Sequence, residues 1–154
     1  MANFIGDHSC KLDAKGRLLM PSAVKKQMDP GEDEKFVVKK DIYERCLVLF
    51  PMKEWENQNR IIRERTNPYN KEHNRFLREF FKGTAEVSLD GNNRLLIPKR
   101  LLDLIHADRE LVLAGQDEKI EIWPKEEYER IGEDSEAHAD LAEKILGGNN
   151  QNGE

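Results

Sequence analysis

The apolar and polar positions of this chain fall into one pattern written twice. A leucine, a polar or small stretch, three apolar residues and a proline run through Leu12-Asp13-Ala14-Lys15-Gly16-Arg17-Leu18-Leu19-Met20-Pro21 and return as Leu89-Asp90-Gly91-Asn92-Asn93-Arg94-Leu95-Leu96-Ile97-Pro98. Each proline opens a short stretch that predicts a helix, residues 22–28 and 99–105, with Ser22 placed to cap the first. Two runs rich in β-branched and aromatic residues follow in each copy and predict strands: residues 36–40 and 46–51, then 111–114 and 120–124. The offset between copies shrinks from 77 at the Asp–Arg loop to 73 at the closing proline. That drift belongs in linkers and hairpin loops, where length changes cost little.

Each unit therefore reads strand, polar turn, strand, short helix, strand, turn, strand. Four short strands and one short helix bury too little apolar surface to offset chain entropy, so the two copies are expected to share one core. The fold class predicted is α+β, a pseudo-two-fold β-barrel of two βαβ-type repeats with flanking helices. Its parts are residues 1–51 (first repeat), 52–82 (connecting helices), 83–124 (second repeat), 125–146 (one long C-terminal helix) and 147–154 (a disordered acidic and polar tail). The connecting helices span 52–65 and 70–82, broken at Asn67-Pro68, and Phe76, Leu77, Phe80 and Phe81 make an apolar stripe at helical spacing. This stripe exceeds what one short helix needs and points also to contact between subunits. Phe50, Trp55, Trp123 and Tyr128 hold matching places in the two copies and read as packing residues.

At 154 residues with 38% hydrophobic content, the chain can bury a core but leaves no room for a separate catalytic module. No apolar run reaches membrane-spanning length and the start lacks the apolar stretch of a signal peptide, so cytosolic residence is expected, with no membrane partner. Cys10 and Cys46 lack C-x-x-C spacing and read as small buried or half-buried side chains in a reducing compartment. The net charge of -5 argues against a nucleic-acid partner until its distribution is considered. Residues 132–154 carry Glu133, Asp134, Glu136, Asp140, Glu143 and Glu154 against Lys144 alone, leaving 24 acidic and 24 basic residues upstream. Within that balanced body Lys11, Lys15, Arg17, Lys25 and Lys26 surround the first loop, and Arg94, Lys99 and Arg100 the second. Such local basic footprints suit phosphate binding.

Three readings compete at the loops. As plain turns, Asp13 and Asp90 accept backbone N–H groups, Gly16 supplies a positive φ, and Asn93 tolerates the same left-handed region. That reading leaves unexplained why a long, permanently charged Arg stands at both turn exits. As a binding surface, Asp13, Gly16, Asp90 and Asn93 shape the loops while Lys15, Arg17 and Arg94 face an anionic partner, Arg by its planar fork and Lys15 as a point charge. Asn92 adds an amide suited to an adenine edge. As an enzyme, Asp13 and Asp90 would form a carboxylate dyad, but Lys15, Asn92 and the nearby Arg17 are the wrong neighbours, since a guanidinium keeps an aspartate ionised. No Ser-His-Asp or Cys-His arrangement is present, and His8, His73, His106 and His138 lack metal-ligand spacing. The expectation is no catalytic residue, no metal, no cofactor and no small-molecule substrate.

With both loops on the page, the chain resembles the MraZ family of bacterial transcriptional regulators of the division and cell-wall gene cluster, whose fold holds two AbrB-like swapped-hairpin motifs. The resemblance runs from Asn3-Phe4-Ile5-Gly6 through Ile122-Trp123-Pro124 into the last helix, carried chiefly by the paired Asp-x-x-x-Arg loops. It implies a sequence-specific regulator of double-stranded promoter DNA, acting as a ring-shaped homo-oligomer on repeated sites that include its own operon, in the cytoplasm on the nucleoid. Carried over by motif, residues 13–17 and 90–94 become the DNA-facing loops, with Lys15, Arg17, Arg94 and Asn92 as contacts. The second loop departs from the family pattern in having Asn93 for glycine and no lysine at Asn92, so if one loop per subunit engages DNA strongly, the first is expected to be that one. The rival expectation is a non-catalytic homo-oligomeric scaffold whose basic loops bind an acidic protein.

Overall fold

In a computed structural model, residues 3–29 and 34–147 are described. The first repeat supplies β1 (Asp7–Lys11), β2 (Arg17–Leu19), α1 (Ser22–Lys25), β3 (Lys35–Lys40) and β4 (Leu47–Pro51). The connecting helices α2 (Met52–Arg65) and α3 (Lys71–Phe81) follow, and then the second repeat: β5 (Ala85–Ser88), β6 (Arg94–Leu96), α4 (Lys99–Leu104), β7 (Glu110–Gln116) and β8 (Lys119–Pro124). The chain continues through α5 (Lys125–Glu129), α6 (Ser135–Ala142) and a π-helical turn, Glu143–Gly147. Prolines occupy the N-cap positions of α1, α2, α4 and α5, where a missing N–H costs nothing. At α1, Pro21 takes the position expected of Ser22, and no side-chain cap bond forms. Asn70 does cap α3, its Oδ1 accepting from the Glu72 and His73 amides.

All named strand pairs are antiparallel. A six-stranded sheet runs in the order β1-β7-β8-β4-β3-β5, and β2 and β6 form a separate two-stranded ribbon. Strands are exchanged between the repeats: β1 pairs with β7, and β5 pairs with β3, in equivalent registers, for Cys10 faces Leu111 as Val87 faces Phe36. Two further pairings set equivalent residues against each other, Leu18 opposite Leu95 and Val48 opposite Glu121. A pseudo-two-fold axis therefore passes through both pairs. The ladders leave the sheet open, with β1 and β5 as its edges, rather than closing the expected barrel. Single bridges, Leu12 to Leu18 and Leu89 to Leu95, tie those edges to the ribbon.

One apolar cluster draws on both repeats and on the ribbon: Leu18, Leu95, Phe36, Val38, Leu47, Leu49, Leu111, Leu113, Ile120 and Ile122 are all fully buried. At about 1.5–3 kcal/mol for each large side chain, this shared burial stabilises a pair of units neither of which encloses a core alone. On the other face Phe50 meets Trp55 with ring centroids 5.5 Å apart, and Trp55 stacks on Phe80 at 6.1 Å. The equivalent pair, Trp123 and Tyr128, lies at 6.2 Å. These matched aromatics pack rather than present a stacking platform. Cys46 is buried and Cys10 half-buried, and burial pushes the Cys10 thiol up to about 11.

The long C-terminal helix expected over 125–146 is two helices. Gly132, at φ 84°, breaks it after α5, and the Asp134 side chain restarts it by accepting from the Ala137 amide at 2.9 Å. The expected tail also begins late, since Gly147 ends the π-helical turn. The rest of that tail, residues 148–154, lies outside the described residues.

Candidate nucleic-acid interface

Both loops are built by one device. In the first, Asp13 Oδ1 accepts from the backbone amides of Lys15 and Arg17, each at 2.9 Å, and Oδ2 accepts from Arg17 Nε at 2.8 Å. In the second, Asp90 Oδ1 accepts from the amides of Asn92 at 2.8 Å and Arg94 at 2.9 Å. The backbone closes each turn as well: Asp13 N–H donates to the Arg17 carbonyl at 2.8 Å, and Asp90 N–H to that of Arg94 at 2.9 Å. Gly16 at φ 82° and Asn93 at φ 60° occupy equivalent left-handed positions, open to Gly and tolerated by Asn. The backbone hydrogen bond from Arg17 is the largest cause holding the Asp13 carboxyl down at about 2, and that from Arg94 likewise lowers Asp90. Both carboxylates are thus ionised loop formers, with nothing of a proton-sharing dyad about them.

The loops also hold each other. Met20 N–H donates to the Asn93 carbonyl at 2.9 Å, and Ile97 N–H donates to the Gly16 carbonyl at 3.1 Å, related by the pseudo-two-fold. The Arg17 charge reaches far enough to help lower Asp90. In the ribbon Arg17 faces Leu96 and Leu19 faces Arg94. Strand alternation turns Leu18 and Leu95 into the core and sets Arg17, Leu19, Arg94 and Leu96 on the other face, where Leu19 is 58% and Leu96 55% exposed. Lys15 and Asn92 are exposed at the two tips, while Arg17 and Arg94 are half-buried. Lys15 also lines a cleft of about 720 Å³ together with Lys99 and Arg109, where Asp13, Asp103 and Asp108 dilute the positive charge.

Leu19 and Leu96 are the residues that sequence reasoning missed. Each copy has two adjacent leucines before its proline, and alternation requires that one of each pair face away from the core. Elsewhere, Cys46 Sγ and oxygens of Asp41 and Glu121 lie within 4.8 Å of one another. Hairpin geometry accounts for that cluster: Asp41 accepts from the Tyr43 and Glu44 amides at 3.0 and 2.9 Å, and Glu121 from the Trp123 indole at 2.9 Å. No helix among the described residues is long and apolar enough to cross a membrane.

Fold and loops together define a two-repeat α+β protein with a cationic ribbon on its pseudo-symmetry axis. The family model for the MraZ protein matches the chain twice, over residues 3–79 and 80–146, and the chain belongs to the MraZ family. It is 43% identical over 157 aligned positions to the transcriptional regulator MraZ of Christiangramia forsetii, covering 99% of both chains. It is 40% identical over 148 positions to that of Flavobacterium psychrophilum, covering 96% of this chain and 94% of the relative. The protein of the same name from Clostridium tetani is 32% identical over 145 positions, 92% of this chain and 96% of its own. The family is one of transcriptional regulators, not of enzymes.

Proposed function

We propose that this protein is a sequence-specific regulator that binds double-stranded promoter DNA, including that of its own division and cell-wall operon, through repeated sites met by several subunits of a ring. The observation that carries the reading is the outward face of the β2–β6 ribbon, where Arg17 and Arg94 flank the pseudo-two-fold axis with Lys15 and Asn92 at the loop tips. A two-stranded ribbon fits a major groove about 12 Å wide, and guanidinium groups suit guanine edges and phosphates there. Arg17 and Arg94 read or grip the duplex, Lys15 adds a phosphate contact, and Asn92 meets a base edge or backbone. Asp13, Gly16, Asp90 and Asn93 hold the loops in shape. The exchange of β1 and β5 supports a swapped-hairpin arrangement, and the bridges Leu12 to Leu18 and Leu89 to Leu95 support its closure into a barrel.

The net charge of -5 is compatible with this role because identical subunits on repeated sites gain by effective concentration, and each phosphate contact steepens the salt dependence. Such a protein works in the cytoplasm, on the nucleoid. Mobility-shift titration on DNA bearing repeated upstream sites, against random DNA of equal length, tests the reading. Preference for the repeats that Arg17→Ala removes is expected. No preference in the wild type overturns it in favour of a scaffold that binds an acidic protein.

A further inference from the structure

Lys39, on β3, is a buried cation that makes no close ion pair among the described residues. It is 5% exposed, its Nζ donates to the Lys40 carbonyl at 3.2 Å, and it lies 3.9 Å from the centroid of the Phe80 ring. Burial lowers its pKa from the usual lysine value, against the opposing pull of the Asp41 carboxylate. Among the described residues no carboxylate is ion-paired with it. A buried ammonium so placed is costly until an acid reaches it.

Lys39 lines an open cleft of about 780 Å³ between β3, α3 and α4, together with Lys82, Arg100, Ile42, Phe76 and Leu104. The three apolar residues are 51%, 41% and 52% exposed respectively. Of the two acids at the rim, Asp41 accepts from its own turn and partly offsets the Lys39 charge, and Glu79 pairs with Arg75 at 3.2 Å, leaving Lys82 and Arg100 in excess. The cleft is therefore apolar in its floor and cationic at its edge.

The opposite character stands elsewhere in the same chain. Residues 133–147 are exposed throughout except for half-buried Ala142. Leu141, Ile145 and Leu146 are 52%, 68% and 82% exposed among the described residues. This segment carries Glu133, Asp134, Glu136, Asp140 and Glu143 against Lys144. Leu141 and Ile145 are four residues apart, and Glu136 and Asp140 each precede an apolar position of that stripe by one residue, about 100° round the helix. A short helix with an apolar stripe and an acidic flank complements a cleft with an apolar floor and a cationic edge.

We propose that residues 135–147 of one copy dock into the β3–α3–α4 cleft of the next. Leu141 and Ile145 meet Ile42, Phe76 and Leu104, and Glu136, Asp140 and Glu143 face Lys39, Lys82 and Arg100. The inference rests on the homo-oligomeric reading above and supplies its contact. Because the two surfaces differ, the contact is head-to-tail: every copy gives one helix and receives one, which closes into a ring when the rotation allows.

Light scattering and sedimentation of the full chain, without DNA, test it. Leu141→Glu, at a site exposed within its own chain, is expected to reduce the assembly to single copies, as is the double variant Leu104→Glu with Arg100→Glu. Each variant keeps the surface that the other has lost, so mixing the two restores a dimer and nothing larger. A far-ultraviolet circular-dichroism spectrum matching the wild type, with a cooperative melt, shows that each variant keeps the fold, although loss of assembly is expected to lower the melting temperature. Leu141→Glu at wild-type mass overturns the docking while leaving an oligomer in place, and so does failure of the mixture to form dimers. A wild-type chain that runs as a single copy overturns the oligomeric reading and the docking with it.

Discussion

Loops 13–17 and 90–94 share one backbone and differ in how firmly the arginine is held. Arg17 Nε donates to Asp13 at 2.8 Å, whereas Arg94 Nε stands 3.5 Å from Asp90 and, though buried, lacks a hydrogen-bond partner. The first tip carries a lysine and the second an asparagine. Identical turn chemistry thus sets two degrees of preorganisation: in the first loop the guanidinium is fixed before any ligand arrives, and less freedom is lost on binding. On the proposed DNA-binding role, the second loop would spend part of its binding energy on ordering.

Four measurements break or sharpen that contrast. Largest is the arginine pair: Arg17→Ala is expected to lower operator affinity by about a hundredfold and Arg94→Ala by about tenfold, with the mass of the assembly unchanged. Arg17→Lys separates charge from geometry and should recover little, since a point charge lacks the fork. Equal losses at the two positions would erase the difference between the loops.

Next come the glycines. Gly16→Ala should destabilise by about 1 kcal/mol, because a Cβ at φ 82° is strained although its nearest atoms, at 3.6 and 3.8 Å, leave space. Gly91→Ala, with nothing within 4 Å and no positive φ, should be neutral or stabilise by about 0.4–1 kcal/mol. Denaturant midpoints with unchanged slopes would show both, and a loss at Gly91 would mean that the second loop is under a strain the first lacks.

A smaller effect separates the tips. Lys15→Asn should reduce the slope of log affinity against log salt by about one per engaged loop, and Asn92→Lys should raise it by as much. Unchanged slopes would remove Lys15 from the contacts. The smallest concerns pH. The Asp13 carboxyl titrates at about 2 when folded, below its usual value of 3.8, so its stabilising effect is full above about 4 and is lost as pH falls from there through 2. Asp13→Asn should flatten the acid unfolding curve across that window, more than Asp90→Asn does, and an identical curve would show that the loop carboxylate is not coupled to folding.

Turn chemistry was legible in the sequence because it is local. Asp at the entry, Gly16 or Asn93 at the left-handed position and proline at the helix entry each act within a few residues. Strand identity was equally readable from the β-branched runs. The exchange of β1 and β5 was legible only through the family resemblance and its swapped hairpins, not from residue type, because partner choice depends on burial across long sequence separations. The broken C-terminal helix was misread for a different reason. Helix formers flank Gly132 on both sides, yet one glycine followed by a capping Asp134 suffices to end one helix and begin another. At the interface, the arginines announced themselves by charge, while Leu19 and Leu96 did not, since nothing in a pair of leucines says which one turns outward.

Val48 opposite Glu121 has a consequence for heredity as well as for architecture. In a dimer made of two identical single-repeat polypeptides, every side chain at that crossing would meet its own twin, and a glutamate there would face a glutamate, an unfavourable like-charge pair. Joining both copies in one polypeptide lifts that constraint, so one copy can keep valine while the other acquires an acid. Fusion lets the twins diverge where they touch.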